Sequence, residues 1–212
     1  MGEIPFLGIA VEIWALFLSV IAIIFTLLKD FILPLWFKPK LVFHYEEKPP
    51  FRREEITINN EPNHKGTFLR FSVRNEGRMP AINCRCQLLG VEKEGKVYGD
   101  YQGYPLKWAS RPESVINQIT GERLNVGIGE TEFIDIAVAC NIDTHIHLEK
   151  YHRVGIGIKE IIEAGKYELF IIFSGDNFKP HILRFGIEKE ADKNPKGIKL
   201  KLLEVTRRLQ NG

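Results

Sequence analysis

The densest grouping of chemically capable side chains is CNIDTHIHLEKYH, residues 140–152, which holds Cys140, Asp143, His145, His147 and His152. In an extended segment a His-x-His step aims both imidazoles to the same side, as a metal site requires, and a thiolate or a third imidazole completes the ligand set. Read this way, Cys140, His145, His147 and His152 would serve a metal-dependent hydrolase. Two features oppose that reading. No second thiol is near in sequence, and Cys140 continues the apolar alternation Ile134, Ile136, Val138, which turns it inward. The competing reading is a surface loop that happens to carry histidines, with no metal and no cofactor.

A second candidate lies in FSVRNEGRMPAINCRCQLLG, residues 71–90, where Cys84 and Cys86 are spaced as Cys-x-Cys. Two ligands alone make no zinc site, which takes about four in a tetrahedron. On a strand, alternate residues share a face, so Ile82, Cys84, Cys86 and Leu88 form one apolar row and the thiols are expected to pack in a core. The chain has no G-x-S-x-G elbow, no P-loop, no H-E-x-x-H and no G-x-G-x-x-G opening a helix. Gly127-x-Gly129 and Gly155-x-Gly157 are two-glycine matches of the kind expected between strands. No catalytic residue is assigned.

The elements that would carry these residues begin with the strongest signal in the chain. Ile4 to Leu28 is a predominantly apolar run interrupted by a single charge, Glu12. A helix of that length, at about 1.5 Å per residue, is long enough to cross a hydrocarbon core of about 30 Å. The apolar residues run all round it with no polar face, unlike a helix buried in a soluble domain. A cleaved signal peptide would want a basic start and a small-x-small site, and Met1-Gly2-Glu3 supplies no base. A pilin-type leader fails for the same reason. Residues 1–30 therefore read as a transmembrane anchor and residues 31–40 as an interfacial collar, with Trp36 and Phe37 suited to the headgroup level. Glu12 lies about two turns inside the run. It is read as an interfacial or protonated carboxyl, or as a contact to another helix or partner. Lys29, Lys38, Lys40, Lys48, Arg52 and Arg53 all follow the apolar run and none precedes it, so the positive-inside rule puts the C-terminal domain in the cytoplasm.

Beyond residue 40 the pattern changes to short alternating runs separated by Gly, Pro and Asn. Leu41–Tyr45, Ile56–Ile58, Phe68–Arg74, Ala81–Leu89, Lys96–Tyr98, Glu132–Cys140, Tyr167–Ser174 and His181–Glu188 are expected strands. Leu69, Phe71 and Val73 take one face and Arg70, Ser72 and Arg74 the other, while Asn75-Glu76-Gly77-Arg78 reads as a turn with Gly77 free to adopt positive φ. Lys159–Ala164 fits a short helix or a strand equally. Residues 41–192 are thus expected to form one mainly β sandwich domain. In residues 193–212 Ile198, Leu202, Val205 and Leu209 fall on a helical stripe among basic residues, predicting an amphipathic C-terminal helix. The chain has 212 residues, 44% hydrophobic and 26% charged, with net charge +2, a balance that argues against bulk electrostatic binding of nucleic acid. Its three cysteines do not resemble a disulfide framework.

Phe68 to Arg78, with its Val73-Arg74-Asn75-x-Gly77-Arg78 ending, and the following Ala81-Ile82-Asn83 resemble uncharacterised prokaryotic single-pass membrane proteins with a C-terminal Ig-like β-sandwich. Leu106-Lys107-Trp108, Gly129-Glu130, Gly165-Lys166-Tyr167 and Ser174 to Pro180 extend the similarity over most of the chain from about residue 38. The resemblance implies architecture and supplies no catalytic residue. The expected function is a membrane-anchored protein-interaction or accessory module, with the lipid bilayer and another protein as partners. Two alternatives are carried beside it: the metal-dependent hydrolase above, and an externally facing structural subunit of a surface assembly, which needs the opposite topology.

Overall fold

The computed structural model describes residues 6–29, 37–58, 61–110, 123–148 and 161–207. The chain divides into two compact units, Met1–Lys38 and Pro39–Gly212. The first contains α1, Phe6–Leu27, 22 residues long. From Ile13 to Lys29 every side chain is exposed, and Ser19 and Thr26 return their hydroxyls to the carbonyls of Ala15 and Ala22 at 2.8 and 2.9 Å. Such back-bonding gives both hydroxyls a partner within the helix. Among the described residues, no helix is long and apolar enough to cross a membrane; the described side chains of α1 begin at Ile13. The side chain of Glu12 and residues 31–36 of the collar lie outside the described residues.

Among the described residues the second unit holds thirteen strands in two antiparallel sheets. They are β1 (Leu41–His44), β2 (Arg52–Ile58), β3 (Glu61–Asn75), β4 (Ala81–Lys93), β5 (Lys96–Pro105), β6 (Lys107–Trp108) and β7 (Leu124–Val126), then β8 (Thr131–Cys140), β9 (Ile146–Leu148), β10 (Ile161–Ile162), β11 (Gly165–Ser174), β12 (His181–Lys189) and β13 (Lys199–Arg207). One sheet has the order β1-β3-β8-β9-β10, with β2 on β3 and β6 on β8. The other has β13-β12-β11-β4-β5, with β7 on β4.

The two sheets bury one shared core. Leu69, Phe71 and Val73 of β3 are fully buried, as are Leu169, Ile171 and Phe173 of β11 and Leu183 and Phe185 of β12. Aromatic rings join the layers: Phe71 lies 5.1 Å from Phe185, Phe43 5.3 Å from Phe173, and Trp108 6.0 Å from Phe173 between centroids. Alternation along β11 and β12 is strict, inner residues buried and outer ones half-exposed, the pattern that pins strand register. Removing one such ring, as in Phe71→Ala, costs about 3–5 kcal/mol.

Four expectations are corrected by the fold. The C-terminal segment is not a helix. After a 3-10 turn at Pro195–Gly197, residues 199–207 pair along β12, with Leu200 opposite Ile187 and Leu202 opposite Phe185. Ile198, Leu200 and Leu202 also carry period-2 alternation, and an unpaired edge of β12 rewards a strand over a lone helix. β3 and β4 are not a hairpin: residues 76–80 carry the chain from one sheet to the other, and Gly77 is not among the positive-φ residues. On β4 the inward residue at the start is Ala81 rather than Ile82, because Asn83 takes a φ of +51° and shifts the alternation before Cys84. Asn tolerates that left-handed conformation better than most residues. On β8 a register shift opposite Leu69 and Arg70 passes the core face to Ala137 and Ala139. Cys140 is buried there without joining that core. Of the segment that fitted helix or strand, Ile161–Ile162 is a strand.

Candidate functional site

The histidine-bearing segment occupies the end of β8, the link to β9 and β9 itself. Asp143 organises it: Oδ1 accepts the His145 amide at 2.9 Å, and Oδ2 lies 2.8 Å from His147 Nε2. His145 Nδ1 is 3.8 Å from the same carboxylate. Burial alone would raise the Asp143 carboxyl, but the His145 amide and the His147 ring hold it below the usual carboxylate range. His147 is fixed by strand pairing opposite Val138 and Ile161. Cys140 is buried at the Gly66 register, on the strand rather than in the loop. His152 lies outside the described residues. Among the described residues, no group of three or more His, Cys, Asp or Glu side chains could hold a metal ion. Among the described residues the segment thus brings together an Asp–His pair, a carboxylate that orients an imidazole.

Cys84 and Cys86 lie in the shared core, 0% and 1% exposed, and are free thiols. Burial pushes the Cys84 thiol up to about 12 and the Cys86 thiol well above its ordinary value. Thiolate chemistry needs the opposite shift. Their role is packing, as the alternation implied.

The Arg-Asn-Glu-Gly-Arg run holds the polar group that organises its surroundings most. Asn75 is fully buried. Its Oδ1 accepts from the amides of Lys40 at 3.2 Å and Gly77 at 3.0 Å, and its Nδ2 donates to the carbonyls of Met79 at 2.7 Å and Val126 at 3.1 Å. Its backbone donates to Glu130 O and accepts from Gly129 N. One residue therefore ties four segments: its side chain holds the start of β1, the β3–β4 crossing and β7, and its backbone holds the turn before β8. The sequence carried a signal for this: Asn75 continues the inward row Leu69, Phe71, Val73, and a polar residue on an inward position must find partners.

A second amide does similar work nearby. Asn177 Oδ1 accepts the Ile82 amide at 3.0 Å and its Nδ2 donates to Pro80 O at 2.8 Å. Asp176 accepts from the Asn83 side chain, and Asn125 Oδ1 accepts the Asn83 amide at 2.8 Å. These groups are committed to holding loops, and none is an unmatched donor or acceptor aimed at a ligand. Buried charges are committed too. Arg52 donates to the Ile198 carbonyl at 2.7 Å and the Lys196 carbonyl at 2.5 Å, and Lys189 donates to the Asp192 carbonyl at 2.6 Å. Arg70 Nη2 lies 2.9 Å from Asp135 Oδ1, both largely buried. Burial raises the Asp135 carboxyl despite the opposing Arg70 charge. Neither this pair nor Asn177 was legible as a site from residue spacing.

An open groove of about 600 Å³ runs over the ends of β11, β12 and β13, lined by Glu92, Glu94, Glu168 and Glu188 as well as Lys166, Lys199 and Lys201. Its charges are mixed and partly self-paired, with Lys166 Nζ 3.1 Å from Glu188. Comparison with protein families, with curated proteins and with solved structures finds no match to this chain.

Proposed function

We propose that the protein is a membrane-anchored protein-interaction or accessory module, with α1 as its single-pass anchor and an Ig-like sandwich as its working domain. The observation that carries this reading is α1 itself: 22 residues whose described side chains, among them Ile13, Leu16, Phe17 and Ile23, are all exposed. The described residues alone hold no helix long and apolar enough to cross a membrane; the reading takes the apolar run Ile4–Leu28 of the sequence as the span, which at about 1.5 Å per residue matches about 30 Å of hydrocarbon. Apolar side chains exposed all along the helix from Ile13 call for a lipid or protein surround.

The domain's polar networks support a scaffold more than an enzyme, because Asn75, Asn177 and Arg52 spend their hydrogen bonds on the chain's own loops. For topology, Lys29, Lys38, Lys40 and Lys48 after the helix favour a cytoplasmic domain, although Arg52 is spent inside the sandwich.

Alkaline carbonate extraction of membranes from cells making the full chain tests the anchor: the chain stays with the bilayer, and deletion of residues 1–38 releases it. Release of the intact chain would sink the reading. Sidedness follows from Glu94→Cys, an exposed turn position, which an impermeant maleimide should label only after the cells are opened. Labelling in intact cells would favour the external structural subunit. Photo-crosslinkers at the exposed positions Val97, Ile128 and Ile142 should capture a partner protein, and failure at all three counts against an interaction module.

A further inference from the structure

β13 ends the six-stranded sheet, with nothing paired to its far side among the described residues. It is nine residues long, and Leu203 and Val205 on it are 42% and 43% exposed. Long apolar edge strands invite another strand, and natural proteins blunt them with lysines or bulges. β13 has both, and their arrangement is specific. Leu200 and Leu202 pair with the core residues Ile187 and Phe185, so they face inward, and Lys199 and Lys201 face outward. Then the register slips: Glu204 pairs with Arg184 and Val205 with the core residue Leu183. Leu203 is the extra residue and lies over Gly186 on the outer face, where a Cβ on the glycine would sit 3.5 Å from Leu203 Cδ1. Beyond the bulge the even-numbered residues face outward.

This phase change makes the edge complementary to itself on either side of the central Leu202–Leu203 step, where an inner leucine meets an outer one. In an unbulged strand, a two-fold axis passing between two residues would set outer side chains against inner ones. Here an axis between Leu202 and Leu203 sets Lys201 opposite Glu204 and Lys199 opposite Thr206 on the outer face. On the inner face it sets Leu200 opposite Val205. Lys201, which would repel most incoming strands, meets the Glu204 carboxylate, Lys199 meets the Thr206 hydroxyl, and Val205 gains an apolar neighbour. We infer that β13 pairs antiparallel with β13 of a second copy of this chain, joining two six-stranded sheets into one continuous sheet across a two-fold axis. The inference holds whether or not α1 enters a bilayer.

Light scattering of the full chain in mild detergent, corrected for bound detergent, tests this. The wild type is a dimer. Each dimer holds the Lys201–Glu204 pair twice, so Lys201→Glu or Glu204→Lys alone replaces two attractive pairs by two repulsive ones and weakens dimerisation on the order of tenfold. The double variant Lys201→Glu, Glu204→Lys restores it, which a folding defect would not do. As an independent measurement, Lys199→Cys and Thr206→Cys chains mixed and oxidised form a disulfide between copies. A monomeric wild type, a dimer indifferent to both reversals, a double variant that stays dissociated, or no mixed disulfide overturns the inference.

Discussion

Replacing Asn75 separates its roles. Asn75→Ala removes four side-chain hydrogen bonds at once and strands the amides of Lys40 and Gly77 and the carbonyls of Met79 and Val126. The bond to Val126 is buried and the others are partly so, so water can replace some of them. A stranded buried group costs about 1–3 kcal/mol. Full cost at Val126 and partial cost at the other three gives a loss of about 3–5 kcal/mol, a large share of the 5–15 kcal/mol that holds a typical domain. Asn75→Asp keeps the shape and both acceptor roles but turns the two donations into repulsions between a carboxylate and two carbonyls. Burial without a cationic partner raises that carboxyl above its unfolded value. Its cost is therefore small at low pH, where the group is protonated, and grows as pH rises through the unfolded and then the folded pKa. The assay is urea unfolding of the full chain in mild detergent, followed by near-ultraviolet circular dichroism of the packed aromatics around Trp108, across pH. A loss under about 1 kcal/mol for Asn75→Ala, or a flat pH profile for Asn75→Asp relative to wild type, would refute the assignment of Asn75 as the tie between four segments.

Cys84 and Cys86 should resist a thiol reagent at neutral pH in the folded chain and react at once in denaturant; fast native labelling at either would place it at the surface instead. Gly175→Ala should destabilise by about 1–3 kcal/mol, because the added Cβ would lie 2.3 Å from a Phe178 ring carbon and 2.7 Å from the Ile82 carbonyl oxygen; unchanged thermal stability would show that this corner yields freely. Arg70→Met alone should cost about 3–5 kcal/mol by leaving Asp135 buried and unpaired, whereas Arg70→Met with Asp135→Leu should fall near wild type or above it. A double variant as damaged as the single one would mean the ion pair is holding the sheet, not merely occupying it.

The strands were legible where one face is buried and the other wet, because period-2 alternation is then imposed by the core: β3, β11 and β12 are of this kind. Irregularities were not. The phase shifts at Asn83 and opposite Leu69–Arg70 depend on which strand lies alongside, and that is a property of topology rather than of local pattern. The tail misled for a related reason. Leu200 and Leu202 fit a strand, but Ile198, Leu202 and Val205 also fit a helix, and only the bare edge of β12 decides between them. At the histidine segment, spacing pointed both imidazoles at a metal and named no carboxylate, whereas the bonds the structure shows there run to Asp143 from the His145 amide and the His147 ring. The four-way tie at Asn75 was half visible, since its inward position demanded partners but could not name them.

Any pull on the chain from its N-terminal unit enters the sandwich through Lys40. There it meets two bonds before β1 begins, the Lys40 amide to Asn75 Oδ1 and the Glu76 amide to the Lys40 carbonyl. Tension is thereby delivered to a fully buried residue whose side chain is linked to β7 and whose backbone is linked to the turn before β8, and not to the four-residue edge strand β1 alone. The amide that closes the corner of the fold is also its mechanical clamp, and the strand that would otherwise peel first is relieved of the load.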